Sequence, residues 1–202
     1  MEGRKILNKP FLRHGLEYIA ELVRVIVISL AIILPIRYFL VQPFYVKGAS
    51  MEPNFYDREY LIIDELSYRF REPKRGEIIV FRYPLDPAQF FIKRVVGLPG
   101  ETVVVEDGNI MIKNFEYAKI LKLDEPYLST STPTIGSKDV KLGTNEYYVL
   151  GDNRASSLDS RYFGPVTRDY IIGRAWLRGW PIDRIARFVV PVYGIDQDDS
   201  GS

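Results

Sequence analysis

Residues 90–101 read FFIKRVVGLPGE, an apolar run that ends in a turn signal containing glycine and proline. Runs of this length that are rich in Val, Ile and Phe and bounded by Gly or Pro are typical of β-strands, so we predict a strand at 90–96. Successive side chains of a strand alternate between its two faces, so Lys93 and Arg94 point in opposite directions. One of these two cations must therefore face an apolar surface.

Similar short runs lie on both sides of this strand. They are rich in Val, Ile, Tyr and Phe, and prolines and glycines separate them. Asp107 and Gly108 supply the left-handed conformations of a tight turn, which predicts a hairpin between 102–105 and 110–112. Further strands are predicted at 60–63, 78–81 and 146–150. The pattern predicts a mainly β fold, with an all-β domain of short antiparallel strands.

A long apolar segment precedes the β region. Residues 25–41 contain one charge, Arg37, and residues 18–24 add further apolar side chains. A helix needs about 20 predominantly apolar residues to cross a bilayer. We therefore predict a single N-terminal transmembrane helix at 18–41 that anchors the chain. A cleaved secretory signal peptide and a buried core helix are the alternatives.

The charges around this segment predict its orientation. Four basic residues precede it: Arg4, Lys5, Lys9 and Arg13. Residues 38–202 carry 21 Lys+Arg and 23 Asp+Glu. Basic flanks stay on the cytoplasmic side, so we expect a cytoplasmic N-terminus at 1–17 and an extracytoplasmic domain on the plasma membrane. His14, the single histidine, would then be a flanking polar residue without a chemical role.

The remaining sequence divides by composition. Residues 42–112 and 144–193 contain the predicted strands and form the predicted β core. Residues 113–143 are more polar and rich in turn signals, which predicts a small inserted lobe or a long loop. The tail at 194–202 is expected to be disordered.

Composition excludes several classes of site. The chain has 202 residues, no cysteine and one histidine, so it can hold no disulfide, no thiol nucleophile and no zinc site built from Cys or several His residues. Its net charge of +1 argues against a dedicated nucleic-acid-binding protein. No metal site and no nucleic-acid partner are therefore expected. We also expect no cofactor and a monomeric protein.

A hydrolase without a usable histidine or cysteine needs another base. A lysine can serve when its pKa falls from about 10.4 to about 7, which costs about 4 kcal/mol, and burial in an apolar wall is the usual means. Lys93 lies in the apolar strand and is the candidate base; a protective charge on an edge strand is the alternative. Ser50, in the sequence GASMEP at 48–53, is the candidate nucleophile, and a simple turn serine is the alternative.

A third segment, GDNRASSLDSRYFG at 151–164, is dense in short polar side chains and has glycine at both ends. Such a stretch can form a compact loop held by hydrogen bonds from side chains to the backbone. An ordinary surface loop is the alternative.

Together, these segments resemble the motifs of the type I signal peptidases, membrane-bound serine proteases with a Ser-Lys dyad that remove signal peptides from exported preproteins. The matching residues are SMEP at 50–53, KRVVGLPGE at 93–101 and the run at 151–164. They follow the family's order and spacing, and the resemblance covers roughly residues 40–180. It implies a membrane-bound serine endopeptidase that cleaves after small residues, at sites of the Ala-x-Ala type.

The resemblance implies a role for each matching residue. Ser50 would be the nucleophile, and neutral Lys93 would be the general base that takes its proton. Ser157 would hydrogen-bond the Lys93 ammonium and orient it. Asp159 and Arg161 would form a salt bridge. Structural support near the site would come from Gly151, Asp152, Asn153 and Arg154.

One part of the implied site stays open. The backbone N–H of Ser50 would be one donor of the oxyanion hole. Some family members carry a serine where this chain has Gly48, so the second donor is either the backbone there, another backbone group or water. Asn54 also departs from the family, in which threonine is common at this position.

The resemblance also implies two shallow pockets for the −1 and −3 side chains of the substrate. Their lining would be Val46, Met51, Phe55, Phe91 and Ile92, although residues of these types also suit a protein core. An extended peptide could add to a strand edge of the domain. The expected partners are signal-peptide-bearing preproteins and the lipid bilayer.

Two other functions stay open. A self-cleaving, repressor-type Ser-Lys protease would lack the apolar segment and would carry a DNA-binding module. A non-enzymatic, membrane-anchored β-domain could bind peptides or scaffold an envelope complex. That domain would show no turnover, and Lys93→Ala would affect only its stability.

Overall fold

A computed structural model describes residues 9–39, 42–114, 119–128, 133–136, 138–191 and 193. The chain divides into two compact units, Met1–Leu40 and Val41–Ser202. The first unit contains helix α1 (Lys9–Phe39), and the second contains the strands.

Helix α1 is 31 residues long, and its large apolar side chains are exposed at most positions from Tyr18 to Leu34. Among the described residues, no helix combines the length and the apolar character needed to cross a bilayer. The transmembrane anchor predicted at 18–41 is therefore not confirmed.

Some predicted features fall outside the described ranges. The tail at 194–202, predicted to be disordered, lies wholly outside them. The predicted cytoplasmic segment at 1–17 is described only from residue 9, and the side chain of His14 is not among those described.

The described part of the second unit contains twelve strands, and their pairings are antiparallel. In chain order the strands are β1 (Gln42–Tyr45), β2 (Tyr60–Asp64), β3 (Ile78–Tyr83), β4 (Asp86–Gly97), β5 (Thr102–Glu106), β6 (Asn109–Asn114), β7 (Lys119–Lys122), β8 (Lys138–Lys141), β9 (Glu146–Leu150), β10 (Val166–Thr167), β11 (Ile171–Trp180) and β12 (Ala186–Arg187). A short helix α2 (Ser160–Phe163) lies between β9 and β10. The mainly β class of short antiparallel strands is confirmed.

The strands form two sheets. The larger sheet has the order β1-β2-β11-β3-β4-β9-β10, with β12 paired to β11, and the smaller sheet has the order β7-β6-β5-β8. The run at 90–96 lies within β4. Strands β5 and β6 form the expected hairpin, and its turn residues Asp107 and Gly108 both have positive φ. Strand β11 was not predicted from the sequence, because glycines and arginines interrupt its apolar residues.

The segment at 113–143 supplies strands to the smaller sheet. Strand β7 pairs with β6, and β8 pairs with β5, so the two strands cover the edges of the β5–β6 hairpin. An isolated hairpin is marginally stable in water and gains from added partner strands. The boundary placed between residues 112 and 113 falls inside β6. The division into a core and an inserted lobe stays a prediction.

The last part of strand β4, residues 93–97, is buried on both faces. Val95 packs in a cluster with Ile79 and Phe81, whereas Val96 packs in a different cluster with Val103. Consecutive residues of a strand point to opposite faces, so each face of this part of β4 is buried against a separate cluster. Charged side chains on β4 can therefore be buried on either face.

We predict that replacing Gly97 at the end of β4 destabilises the domain. A Cβ there would lie 2.9 Å from Leu142 Cδ1 and 3.0 Å from Tyr148 Cβ, and closer still to Val103. Gly97→Ala should therefore lower the free energy of unfolding by about 1–3 kcal/mol, because a packed core resists added volume.

Urea unfolding of the full chain measures this loss. The matched control is Gly179→Ala in β11, where the nearest atoms would lie 3.9 Å from the new Cβ and the change should stay within about 0.5 kcal/mol. Equal effects in the two variants would contradict the packing argument.

Candidate functional site

Ser50 lies in a turn after strand β1. The Glu52 N–H donates to the Ala49 carbonyl (3.2 Å), and the Phe55 N–H donates to the Met51 carbonyl (2.9 Å). The side chains of Met51 and Phe55 are 1% and 0% exposed and pack in a core cluster with Val46, which holds the turn against the domain. Ser50 itself is partly exposed, so its hydroxyl can meet a substrate.

Lys93 on strand β4 reaches this hydroxyl. Its Nζ donates to Ser50 Oγ at 2.7 Å and to the Ile92 carbonyl at 2.8 Å. The side chain is buried, with 4% of Lys93 exposed. Burial lowers the pKa of Lys93 from 10.5 to about 8, against the opposing charges of Asp159 and Asp152.

With this pKa, a substantial fraction of the Lys93 amine is neutral near pH 7. At pH 7 an amine with the ordinary pKa is neutral in about one molecule in 3,000, whereas a pKa of about 8 makes it neutral in about one in eleven. Because the neutral amine lies within hydrogen-bond distance of Ser50 Oγ, it can accept the hydroxyl proton.

The neighbouring cation, Arg94, is buried as part of an ion pair. Its Nε and Nη2 donate to the two carboxylate oxygens of Asp152 at 2.8 and 2.7 Å, and its Nη1 donates to the Gly76 carbonyl at 2.9 Å. Both cations of β4 are therefore buried. Among the described residues, Arg94 has a carboxylate partner and Lys93 has none within salt-bridge distance.

Asp159 organises the loop at 151–164. Its carboxylate accepts two bonds of 2.8 Å from Arg161, the salt bridge that the sequence predicts. It also accepts from the Gly151 N–H at 3.1 Å and caps helix α2 through the Arg161 N–H. Asp159 is 0% exposed, so these bonds satisfy a fully buried charge.

Ser157 does not make the hydrogen bond expected with Lys93. Its Oγ is buried and has no partner within the described ranges. Lys93 donates instead to the Ile92 carbonyl, which lies beside it on β4. Gly151 brings this loop close to the nucleophile, because a Cβ there would lie 2.5 Å from both Ser157 Cβ and the Ser50 carbonyl oxygen.

Asn153 and Arg154 connect the loop to its surroundings. The Asn153 N–H donates to the Ser50 carbonyl at 3.0 Å, and its side-chain amide donates to the Ala49 carbonyl at 3.1 Å. The buried Arg154 donates to the Gly151 carbonyl at 3.0 Å and to Glu125 at 2.9 Å. The loop therefore contacts the nucleophile turn on one side and the segment containing Glu125 on the other.

The backbone donors near Ser50 differ from the expected oxyanion pair. The Gly48 N–H donates to Asp57 Oδ1 at 2.8 Å, so it is already engaged in this geometry, and the identity of the second donor stays a prediction. The Ser50 N–H has no acceptor in the described part of the chain. One unengaged donor is thus present beside the nucleophile.

A cleft of about 430 Å³ opens beside Ser50 and Lys93. Of the expected pocket residues, Val46, Phe91 and Ile92 line it. Met51 and Phe55 are not among its lining residues, and both side chains are buried in the core. Their assignment to the substrate pockets stays a prediction.

Sequence reasoning missed several residues of the cleft wall. Phe44 and Tyr45 come from β1, which is only four residues long and contains a proline. Leu158 is an isolated apolar residue within the polar loop, and its side chain is partly exposed. No period or motif distinguishes these positions in the sequence.

The arrangement has the parts of a covalent catalyst. It combines a partly exposed hydroxyl, a buried amine at 2.7 Å and an unengaged backbone donor beside an apolar cleft. The described residues contain no group of three or more His, Cys, Asp or Glu side chains placed to hold a metal ion.

Comparison with known proteins finds matches to one family. Residues 19–180 match the family described as "Signal peptidase, peptidase S26". A "Probable signal peptidase I-2" of Synechocystis sp. is 40% identical over 171 residues, covering 82% of this chain and 75% of the relative. "Signal peptidase I" of Leptolyngbya laminosa is 37% identical over 179 residues, covering 85% and 84%.

A solved structure also shows similarity. The crystal structure of a signal peptidase I from Enterococcus faecalis V583 aligns with a TM-score of 0.43 and 32% identity, covering 52% of this chain and 97% of that one. The family match spans most of the chain, and the sequence relatives cover more than four fifths of it. The chain therefore belongs to the signal peptidase family, peptidase S26, and is a hydrolase of the serine endopeptidase class.

Proposed function

We propose that the chain removes signal peptides from exported preproteins with Ser50 as its nucleophile and neutral Lys93 as its general base. The observation that carries this proposal is the 2.7 Å contact between Lys93 Nζ and Ser50 Oγ. Burial of the amine supports it, because the pKa of about 8 lies near neutral pH, where a general base is most effective.

The reaction proceeds through an acyl-enzyme. Lys93 takes the proton of the Ser50 hydroxyl while Oγ attacks the carbonyl carbon of the scissile bond. The Ser50 N–H donates to the oxyanion that forms. The Lys93 ammonium then gives its proton to the leaving nitrogen, and the C–N bond breaks. Lys93 next deprotonates a water molecule, which hydrolyses the ester and restores the Ser50 hydroxyl.

The lack of a carboxylate partner suits Lys93 to this cycle. A close carboxylate would raise its pKa and keep it protonated. Asp152 and Asp159 do raise the pKa of Lys93, but each is itself paired, with Arg94 and Arg161. We therefore assign Arg94 and Arg161 the role of partly neutralising these two carboxylates, so that their negative charges raise the pKa of Lys93 less.

The cleft supports a preference for small substrate side chains. Val46, Phe91 and Ile92 line an apolar space that fits short side chains, such as alanine at the −1 and −3 positions. Strand β1 is an end strand of the larger sheet, where an extended peptide can add by β-augmentation. The backbone would then supply affinity, and the cleft would supply selectivity.

We also propose that helix α1 attaches the protein to a lipid bilayer, with the N-terminus on the cytoplasmic side. Its exposed apolar side chains between Tyr18 and Leu34 support this proposal. A preprotein's apolar signal sequence would lie in the same bilayer, which raises the effective concentration of the two partners. The plasma membrane, a single crossing and a monomeric state remain parts of the proposal.

We predict that Ser50→Ala and Lys93→Met each lower the rate of cleavage by at least about 10³-fold, since each removes one reacting group. The measurement is release of the mature protein from a signal-peptide-bearing precursor by the full chain in detergent. Ser156→Ala and Lys74→Met change exposed residues of the same types and should keep the wild-type rate. Turnover by either dyad variant at a rate near that of the wild type would reject the assignment.

We predict that activity rises with pH. Only the neutral amine acts as a base, and the pKa of Lys93 is about 8, so the neutral fraction and kcat/KM should increase about tenfold from pH 7 to pH 9 and then level off. Initial rates on a precursor peptide over pH 6–10 measure this profile. A rate that stays flat between pH 6 and pH 9 would contradict the role of Lys93.

A further inference from the structure

The nucleophile turn ends at Asn54, whose side chain makes two hydrogen bonds. Its Nδ2 donates to Asp152 Oδ2 at 2.8 Å and to the Tyr127 carbonyl at 2.8 Å. Both partners are distant in sequence, and Asn54 lies only four residues after Ser50. The Asn54 carbonyl also accepts a hydrogen bond from Arg178. Asn54 is therefore held from its backbone and from its side chain.

Asp152 joins Asn54 to the strand that carries Lys93. Its Oδ2 accepts from Asn54 and from Arg94 Nη2, and its Oδ1 accepts from Arg94 Nε. Arg94 is the residue after Lys93 on β4. One buried carboxylate thus connects the turn of the nucleophile with the strand of the base.

Tyr127 lies in the segment between β7 and β8 and contacts the same cluster of Asn54, Asp152 and Arg94. Its ring lies 3.8 Å from the Arg94 guanidinium, and its hydroxyl donates to Glu125 at 2.6 Å. Glu125 in turn pairs with Arg154 of the 151–164 loop. The residues around Tyr127 therefore contact the nucleophile turn, the base strand and the loop.

We propose that Asn54 is a positioning residue that sets the distance between Ser50 Oγ and Lys93 Nζ through Asp152 and Tyr127. This inference rests on the proposed Ser50–Lys93 mechanism. Without the two amide donors, nothing in the side chain of residue 54 ties the turn to Asp152 or to the Tyr127 carbonyl. A nucleophile displaced by about 1 Å can lose about 100-fold in rate, because the reaction needs an aligned, close approach.

The same contacts could serve stability alone, and the two roles predict different kinetics. A positioning role lowers kcat and leaves KM nearly unchanged, because most residues that line the cleft belong to β1 and β4 rather than to the Ser50 turn. A purely structural role lowers the folded fraction, and the folded molecules keep their kcat. The pair of measurements therefore separates the roles.

The test compares Asn54→Ala and Asn54→Asp in the full chain with a precursor peptide as substrate. Alanine removes both donors, and aspartate keeps the shape of the side chain while its carboxylate cannot donate. We expect kcat to fall about 10–100-fold in both variants and KM to stay within about threefold of wild type. Rates are expressed per folded molecule, with the folded fraction taken from thermal unfolding followed by circular dichroism.

The matched control is Asn109→Ala. Asn109 also donates its side-chain amide to a backbone carbonyl, that of Asp107 at 3.0 Å, but it lies in the β5–β6 hairpin. Its kcat should stay within about twofold of wild type. This control shows whether loss of any asparagine–backbone hydrogen bond slows the enzyme.

The outcomes distinguish the inference from the proposed function. Failure of the wild type to cleave, or cleavage by Ser50→Ala, rejects the proposed mechanism itself. If the wild type cleaves and Ser50→Ala does not, an unchanged kcat in Asn54→Ala overturns the positioning role. The positioning role is also overturned if Asn54→Asp keeps the wild-type kcat. It is overturned as well if the variants change only KM or only the folded fraction.

Discussion

The protein must keep one amine buried without a carboxylate partner. A fall in the pKa of Lys93 from 10.5 to about 8 corresponds to about 3 kcal/mol of lost stability whenever the amine is protonated. Total stabilities of about 5–15 kcal/mol make this a large cost, which hydrophobic clusters on both faces of β4 must offset.

The other buried charges show how this site differs. Arg75 pairs with Glu101, and Arg94, Arg154 and Arg178 pair with Asp152, Glu125 and Glu59. Among the buried cations that the structure describes, Lys93 alone lacks such a carboxylate. Ion pairs are destabilising to break in the interior, so these pairs also fix the strands and loops around Ser50. These ion pairs neutralise the buried charges around Lys93, and the Lys93 amine remains free to exchange a proton.

Local patterns in the sequence predict part of this arrangement. The apolar run at 90–96 predicts a strand with a buried cation, and the motifs predict that Ser50 lies near Lys93. They do not reveal that Met51 and Phe55 of the Ser50 turn are buried in the core. They also do not predict the contacts of Tyr127 and Asn54, because hydrogen bonds between residues distant in sequence produce no periodic pattern in the local sequence.

The most direct test is the pKa of the Lys93 amine in the folded protein. NMR titration of the chain with 13C-labelled lysine measures it, and the Lys93→Met variant assigns the resonance by its loss. The titration of Lys93 is expected to have a midpoint of about 8, well below the ordinary value of about 10.4 for a lysine amine. A midpoint near 10.4 for Lys93 would contradict the claim that burial turns this side chain into the base.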